Sequence, residues 1–215
     1  MHIKSVEFAG AIGQIGQAAP ELVTGMPQIA FSGRSNVGKS TLINHLLGRT
    51  RTPIARVSAR PGKTQEINFF RVRSDAGDFA LVDLPGYGFA QAPAPLRERW
   101  RSLTDEFLRR DDSLTGVVQL IDLRRGPTDD DRKAVDYLAG IGRPVLFALT
   151  KADKLKPRAR REAIAATITT LGADESQVIA CSSLTGDGME ELRETLGALL
   201  MSVTPQDRGD QGSAE

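Results

Sequence analysis

The most specific chemistry in the sequence belongs to an eight-residue segment, Gly33-Arg34-Ser35-Asn36-Val37-Gly38-Lys39-Ser40. It matches G-x-x-x-x-G-K-[ST], follows a short apolar run and precedes an apolar helical pattern, which is the context this motif requires. The glycines allow the backbone to curl, so that successive N–H groups and a helix N-terminus face a di- or triphosphate. We expect Lys39 to reach the β and γ oxygens and the Ser40 hydroxyl to bind Mg²⁺.

A second motif, Asp83-Leu84-Pro85-Gly86, follows another apolar run. A carboxylate at a strand end beside the phosphate loop can hold Mg²⁺ through water, and the Gly86 N–H can meet the γ-phosphate. D-x-x-G alone is a common turn. Its significance comes from its position after a strand and after the phosphate loop.

A third motif, Thr150-Lys151-Ala152-Asp153, indicates the base. The Asp153 carboxylate can accept the N1–H and the 2-amino group of guanine, while the Lys151 stem lies along the base plane. Adenine would leave the carboxylate unpaired, which supports a selectivity of about 10⁴ to 10⁵. In Cys181-Ser182-Ser183 a backbone N–H, that of Ser183, can donate to guanine O6.

These motifs require a scaffold in which apolar strands alternate with helices, which predicts an α/β fold with a mostly parallel central sheet and helices on both faces. The predicted strands are 29–31, 67–72, 79–82, 117–121, 145–149 and 178–180. Strands 67–72 and 79–82 are expected to form a hairpin, which adds one antiparallel strand. The predicted helices are 39–48, 94–110, 129–140, 157–171 and 187–202, with Thr128 and Asp187 as N-caps.

Composition narrows the class of protein. The 215 residues include 28 Lys plus Arg against 27 Asp plus Glu, so any basic surface must be local. The single cysteine, Cys181, excludes an intramolecular disulfide, and we interpret it as a small buried side chain. Neither a signal-peptide pattern nor an apolar run of about 20 residues is present, so we expect a cytoplasmic protein without a membrane partner.

With two further segments, Arg60-Pro61-Gly62-Lys63-Thr64-Gln65 and Asp83 to Gly88, the motifs closely resemble the EngB family, also called YihA or YsxC. This family belongs to the TrmE-Era-EngA-EngB-Septin-like GTPases. The resemblance covers roughly residues 27–202. It implies a P-loop G domain at 27–203 and leaves the two ends unsupported. From the residues themselves we expect a short N-terminal extension at 1–26, and a disordered tail at 204–215 because that segment is polar and contains Gly.

The resemblance also implies function. It suggests a bacterial GTPase that switches with GTP and GDP during assembly of the large ribosomal subunit and is linked to cell division and septation. It assigns Thr64 as a second Mg²⁺ ligand and γ-phosphate sensor, and it places Gly62, Lys63, Gln65 and Glu66 beside the nucleotide. From the residues alone, this segment is a basic turn. The implied catalytic residues are Lys39, Thr64 and Gly86.

Hydrolysis is expected to be slow, because Tyr87 stands directly after the D-x-x-G glycine, where many related GTPases carry a water-orienting Gln. A missing catalytic group of the arginine-finger kind can be worth about 10³ to 10⁵ in rate. Potassium is one candidate contribution, with Asn36 as its ligand, although Asn36 could equally only stabilise a turn. Tyr87 could be a packing aromatic or a switch residue that senses a partner.

A local basic excess is the candidate surface for ribosomal RNA. It consists of Arg49, Arg51, Arg56, Arg60, Lys63, Arg71 and Arg73, with Glu66 the one acidic residue between 49 and 73. Trp100 is interpreted as a core residue, and His45 as a surface or packing residue and not a catalyst. The alternative function is a nucleotide-gated module for a division protein, in which turnover is incidental. Nothing in the sequence calls for more than a monomer.

Overall fold

The computed structural model describes residues 1–55, 66–88, 93–110 and 112–202. Within them lie seven strands: β1 (Ile3–Ile12), β2 (Gln28–Gly33), β3 (Ile67–Ser74), β4 (Gly77–Asp83), β5 (Leu114–Asp122), β6 (Val145–Thr150) and β7 (Val178–Ala180). The α-helices are α1 (Lys39–Leu46), α2 (Ala94–Arg110), α3 (Asp129–Gly140), α4 (Pro157–Leu171) and α5 (Met189–Ser202). Short 3₁₀ helices lie at Glu21–Val23, Ala152–Lys154 and Glu175–Gln177.

The strands form one sheet in the order β1-β3-β4-β2-β5-β6-β7. Parallel pairs join β4, β2, β5, β6 and β7. Strand β3 is antiparallel to both β4 and β1, so it alone runs against the other six. The predicted hairpin is present, with Ser74 opposite Gly77. The α/β fold and the mostly parallel sheet are therefore confirmed.

Strand β1 was not predicted. It lies within the segment described above as a short N-terminal extension, and it pairs with β3 along its length. Only Val6 and Ile12 of this strand are buried, so its sequence lacks the apolar alternation of a half-buried strand. The segment before residue 27 thus contributes an edge strand to the sheet.

Helices α2, α3 and α4 have the predicted bounds, while α1 ends at Leu46. Thr128 caps α3 as predicted, in a capping box with Asp131. The N-cap prediction for Asp187 is wrong, because α5 begins only at Met189 and Gly188 intervenes with φ of 71°.

The helices cover both faces of the sheet. Alternate residues of β2 show this: Ile29 and Phe31 pack with α1 and α5, whereas Ala30 packs with α2 and α3. A third cluster joins the ends of β5 and β6 to α4. In the described part of the chain, no helix is long and apolar enough to cross a bilayer.

Candidate functional site

The phosphate-loop candidate connects β2 to α1, and its backbone requires glycine. A Cβ on Gly33 would lie 3.0 Å from Val37 Cγ1 and 3.1 Å from the Leu120 carbonyl oxygen. Gly38, the N-cap of α1, has φ of 106°, and Asn36 also has a positive φ of 64°. The loop therefore curls over the N-terminus of α1, where orphan N–H groups favour anions.

Lys39 and Asp83 form a buried ion pair at the carboxyl ends of β2 and β4. Lys39 Nζ donates to Asp83 Oδ1, and the residues are 8% and 2% exposed. Each charge is compensated by the other here, because an unpaired buried charge is strongly unfavourable. The half-buried Ser40 follows Lys39 on α1. This set offers a cation for phosphate oxygens, and a carboxylate and a hydroxyl for a hard cation.

These protein oxygens fit a Mg²⁺ ion that is coordinated jointly by the protein and by the nucleotide phosphates. The described residues include no group of three or more His, Cys, Asp or Glu side chains that could hold a metal ion. A protein-only metal cage is thus not formed by them. Mg²⁺ commonly binds through one or two protein oxygens together with substrate phosphates, and Asp83 and Ser40 match that requirement.

The Leu84-Pro85-Gly86 turn lies directly on the phosphate loop. Leu84 N donates to Phe31 O at 3.1 Å, which continues the pairing of β4 with β2. A Cβ on Gly86 would lie 3.1 Å from Ser35 Oγ and 3.4 Å from Ser35 Cα, so a side chain there would be in tight contact with the loop. The geometry brings the second predicted motif against the first.

Tyr87 joins the two motifs through its backbone. Its N–H donates to Gly33 O at 3.3 Å, and its carbonyl accepts from Ser35 N at 3.0 Å and Ser35 Oγ at 3.1 Å. Arg34 and Tyr87 form an isolated parallel bridge. The residue after Gly86 is therefore fixed to the phosphate loop on both sides of its Cα.

The Tyr87 side chain has two defined partners. Its hydroxyl donates to Asp131 Oδ1 at 2.6 Å and accepts from Gln119 Nε2 at 2.5 Å. Burial raises the pKa of Tyr87, and the negative charge of Asp131 raises it further, so the phenol stays protonated at neutral pH. Tyr87 is therefore more than a packing aromatic, because its hydroxyl makes two side-chain hydrogen bonds. Sequence reasoning missed Gln119 and Asp131, although a polar residue inside the apolar run of β5 was a visible signal.

The base motif approaches the phosphate loop from β6. Thr150 Oγ1 donates to Val37 O at 2.7 Å. Lys151, with φ of 61°, extends its Nζ to Asn36 O at 2.8 Å and to Asp122 Oδ2 at 2.9 Å. The Lys151 side chain thus spans from the base motif to the phosphate loop.

Asp122 anchors this lysine and was also missed from the sequence. Burial raises its pKa, but hydrogen bonds from Arg124 and Lys151 outweigh that effect and lower the pKa to about 2. Arg124 binds both carboxylate oxygens, at 2.9 and 2.7 Å. The carboxylate is therefore charged at neutral pH and holds Lys151 in place.

Asp153 is positioned by the loop after β7. Ser182 Oγ donates to Asp153 Oδ1 at 2.8 Å. Ser182 Oγ itself accepts from the N–H groups of Leu184 and Thr185, at 3.2 and 3.1 Å. The Ser182 hydrogen bond lowers the pKa of Asp153. Ala152 N donates to Cys181 O at 3.1 Å, which joins the two base-side segments.

The neighbours of this loop have structural roles. Cys181 is fully buried, and burial raises its thiol pKa to about 12. The carbonyl oxygen of Ser183 lies 2.9 Å from Nδ1 of His45, which is half-buried on α1. Trp100 is 6% exposed on α2, so its interpretation as a packing residue is supported and a base-stacking surface is not.

The first-switch predictions for Gly62, Lys63, Thr64 and Gln65 lie outside the described residues. Glu66 is exposed and directly precedes β3. The chain entering this segment is fixed by Asn44, whose Oδ1 accepts from Ile54 N and Ala55 N at 2.9 Å each. Asn44 Nδ2 donates to Ala55 O at 2.8 Å. Asn44 is a further residue that the sequence did not reveal.

The predicted basic excess is partly neutralised by acidic residues from neighbouring strands. Arg71 pairs with Glu7 at 3.6 Å and with Asp78 at 3.4 Å, and Arg73 pairs with Asp78 at 3.6 Å. Arg49 donates to Val6 O at 3.3 Å, whereas Arg51 is exposed. Counting only residues 49–73 missed these acids. Arg56, Arg60 and Lys63 of the predicted surface lie outside the described residues.

The fold and the site together define a P-loop protein of the GTPase class. A protein-family model described as "50S ribosome-binding GTPase" matches residues 28–151. A probable GTP-binding protein EngB from Gemmatimonas aurantiaca is 44% identical over 200 residues, covering 93% of this chain and 95% of its own. One from Syntrophomonas wolfei is 39% identical over 200 residues, covering 93% and 99%. The chain belongs to the EngB family of GTP-binding GTPases.

Solved structures agree with this assignment. A crystal structure of a probable GTP-binding protein EngB has a TM-score of 0.65 and 26% identity, covering 81% of this chain and 99% of that one. Aquifex aeolicus Era, bound to GDP and aluminium fluoride, has a TM-score of 0.69 over 84% of this chain and 60% of its own. At 22% identity, Era supports the fold alone.

Proposed function

We propose that the site binds GTP and GDP with Mg²⁺, and that the protein hydrolyses GTP slowly as a nucleotide switch in large-subunit assembly. The observation that carries the nucleotide assignment is the fixed position of the Asp153 carboxylate, which accepts from Ser182 Oγ, while Lys151 of the same motif reaches the phosphate loop. A fixed carboxylate of this kind selects a base that offers two adjacent donors, which guanine does and adenine does not.

The roles of the remaining residues follow from their contacts. Lys39 would exchange its ion pair with Asp83 for the β and γ oxygens, which releases the Asp83 carboxylate to support Mg²⁺ together with Ser40. Bound Mg²⁺ neutralises developing charge on the phosphates. The Gly86 N–H would donate to the γ-phosphate, and Thr64 would add a further ligand from the first switch.

Competition binding tests the nucleotide assignment. Fluorescent GDP is displaced by unlabelled GDP, GTP or ATP in magnesium buffer, for wild type, Asp153→Ala and the control Asp174→Ala. Asp174 also accepts from a serine hydroxyl, Ser176 Oγ at 2.6 Å, but it precedes an exposed turn before β7. We expect guanine preference in wild type and control and its loss in Asp153→Ala. Equal competition by ATP in wild type would contradict the assignment.

Slow hydrolysis is proposed because Tyr87 occupies the place of a water-orienting residue and its hydroxyl is already engaged. The exposed Asn36, at a positive φ within the phosphate loop, is the candidate potassium ligand. Single-turnover hydrolysis in KCl and in NaCl, with wild type and Asn36→Ala, tests this role. A potassium stimulation that Asn36→Ala retains in full would exclude Asn36 as the ligand.

The ribosomal role rests on family relationship. The matching family model is described as a 50S ribosome-binding GTPase, and 50S denotes the large subunit. We infer a cytoplasmic monomer that binds large subunits in its GTP form. Co-sedimentation with large subunits should require a GTP analogue and weaken with salt. Binding to a division protein instead, without subunit stimulation of hydrolysis, would favour the nucleotide-gated module.

A further inference from the structure

The Tyr87 hydroxyl links three elements that are distant in the chain. Tyr87 follows β4, Gln119 is in the middle of β5, and Asp131 is in the first turn of α3. The two side chains contact the same oxygen, at 2.5 and 2.6 Å. Because the Tyr87 backbone is bonded to the phosphate loop, these contacts continue from that loop to the N-terminus of α3.

Asp131 is a fixed acceptor because its other oxygen is already used. Oδ2 accepts from Thr128 N at 2.8 Å and from Thr128 Oγ1 at 2.6 Å, which closes the capping box of α3. Asp131 is 3% exposed, and the helix N-terminus favours its negative charge. Oδ1 therefore faces Tyr87 without freedom to turn away.

Gln119 shows that this arrangement is not optimal for stability. It is fully buried, and its Oε1 has no hydrogen-bond partner within the described part of the chain. An unpaired carbonyl in a central strand is unfavourable, and a leucine would fit this apolar run better. Its Nε2 donates to the Tyr87 hydroxyl, so the side-chain contact that this amide makes is the one to Tyr87.

We propose that Gln119 and Asp131 are positioning residues that act through the Tyr87 hydroxyl to keep Gly86 against the phosphate loop, ready for the γ-phosphate. This inference rests on the proposed GTP binding. Gly86 is the residue directly before Tyr87, and it is packed on Ser35. The Gly86 N–H would donate to the γ-phosphate, which GTP carries and GDP lacks. Prior order at Gly86 therefore strengthens binding of GTP selectively.

Binding of a non-hydrolysable GTP analogue and of GDP tests the proposal by calorimetry. The variants are Tyr87→Phe and Gln119→Leu, which remove contacts to one hydroxyl without removing a backbone bond. We expect each to weaken analogue binding about fivefold to tenfold, with GDP binding within about twofold of wild type. Tyr137→Phe is the control. Tyr137 is also on α3, and its hydroxyl donates to Asp105 of α2, so this variant removes a tyrosine–aspartate hydrogen bond away from the site.

The double variant Tyr87→Phe/Gln119→Leu distinguishes positioning from separate effects on the fold. If both act through one hydroxyl, the double variant should lose no more analogue affinity than Tyr87→Phe alone. Independent losses that multiply, or equal losses for analogue and GDP, would overturn the proposal. Unchanged or tighter analogue binding in Tyr87→Phe would also overturn it. If wild type binds neither nucleotide, the proposed function fails first and this inference fails with it.

Discussion

Ser182→Ala is expected to weaken guanine-nucleotide binding without removing any group that contacts the base. The hydroxyl donates to Asp153 at 2.8 Å and is itself fixed by two backbone N–H groups. Alanine leaves the carboxylate with its ion pair to Lys154, at 3.2 Å, but makes its charged form less favoured. Ser182 is fully buried, so water cannot simply take the place of its hydroxyl.

The magnitude follows from the bonds lost. A hydrogen bond to a charged group contributes about 1.5–3 kcal/mol, which corresponds to a loss of about 10- to 150-fold if it all appears in binding. The two N–H groups left without the hydroxyl should lower the free energy of unfolding by about 1–2 kcal/mol. We therefore expect GDP affinity to fall about 10- to 100-fold and the protein to remain folded.

Fluorescent GDP titration with parallel thermal melting checks both values, and Ser176→Ala is the matched control. Ser176 also donates to an aspartate, Asp174, at 2.6 Å, but it lies outside the site. Affinity within about twofold of wild type in Ser182→Ala, or an equal loss in the control, would refute the reasoning.

The pH dependence of the same variant gives a second check. The Ser182 hydrogen bond lowers the folded-state pKa of Asp153 below its ordinary 3.8. Its stabilising effect is thus fully present above the ordinary pKa and is lost as pH falls through the lower folded value. Without the hydroxyl, the carboxylate should take up its proton at a higher pH. GDP binding should then begin to fail at higher pH in Ser182→Ala than in wild type.

Three further predictions concern the scaffold. Gly188→Ala should destabilise the protein by about 3 kcal/mol or more, because its Cβ would lie 2.2 Å from a carbonyl of β7; Gly142→Ala, with similar φ and open space, should cost only about 1–2 kcal/mol in thermal melts. Asn44→Ala should lower the free energy of unfolding in urea by about 2–4 kcal/mol, because three hydrogen bonds to residues 54–55 are lost. Cys181, with a pKa of about 12, should remain protonated and resist iodoacetamide at pH 8 until the protein is unfolded; rapid labelling of the native protein would contradict its burial.

Local patterns predicted most of the fold because several independent signals coincide. Helix α3 has an N-cap threonine, acidic residues in its first turn and buried Leu138 near its end. Strand β1 was missed because an edge strand with two buried residues has no distinctive pattern. Asp187 was misplaced because a glycine turn delays the start of α5 by two residues.

In the site, the sequence identified the residues expected to meet the nucleotide but not those that position them. Gln119, Asp122 and Asp131 act through contacts with residues 29 to 44 positions away. No short motif encodes such pairs, because they depend on which strand ends the topology brings together. Glu7, which pairs with Arg71, was overlooked for the same reason, since it comes from the unpredicted β1. Asp78 lies across the predicted hairpin and was overlooked because only residues 49–73 were counted.

The two outer strands of the sheet also bear on self-association. An unpaired strand edge is a template on which another chain can extend a sheet. Here β1 has two register shifts and carries the exposed charges of Lys4 and Glu7, while β7 at the opposite edge is only three residues long. Irregular, charged or very short edges resist such addition. Irregularity and charge at β1, and the shortness of β7, therefore disfavour extension of this sheet by a second chain.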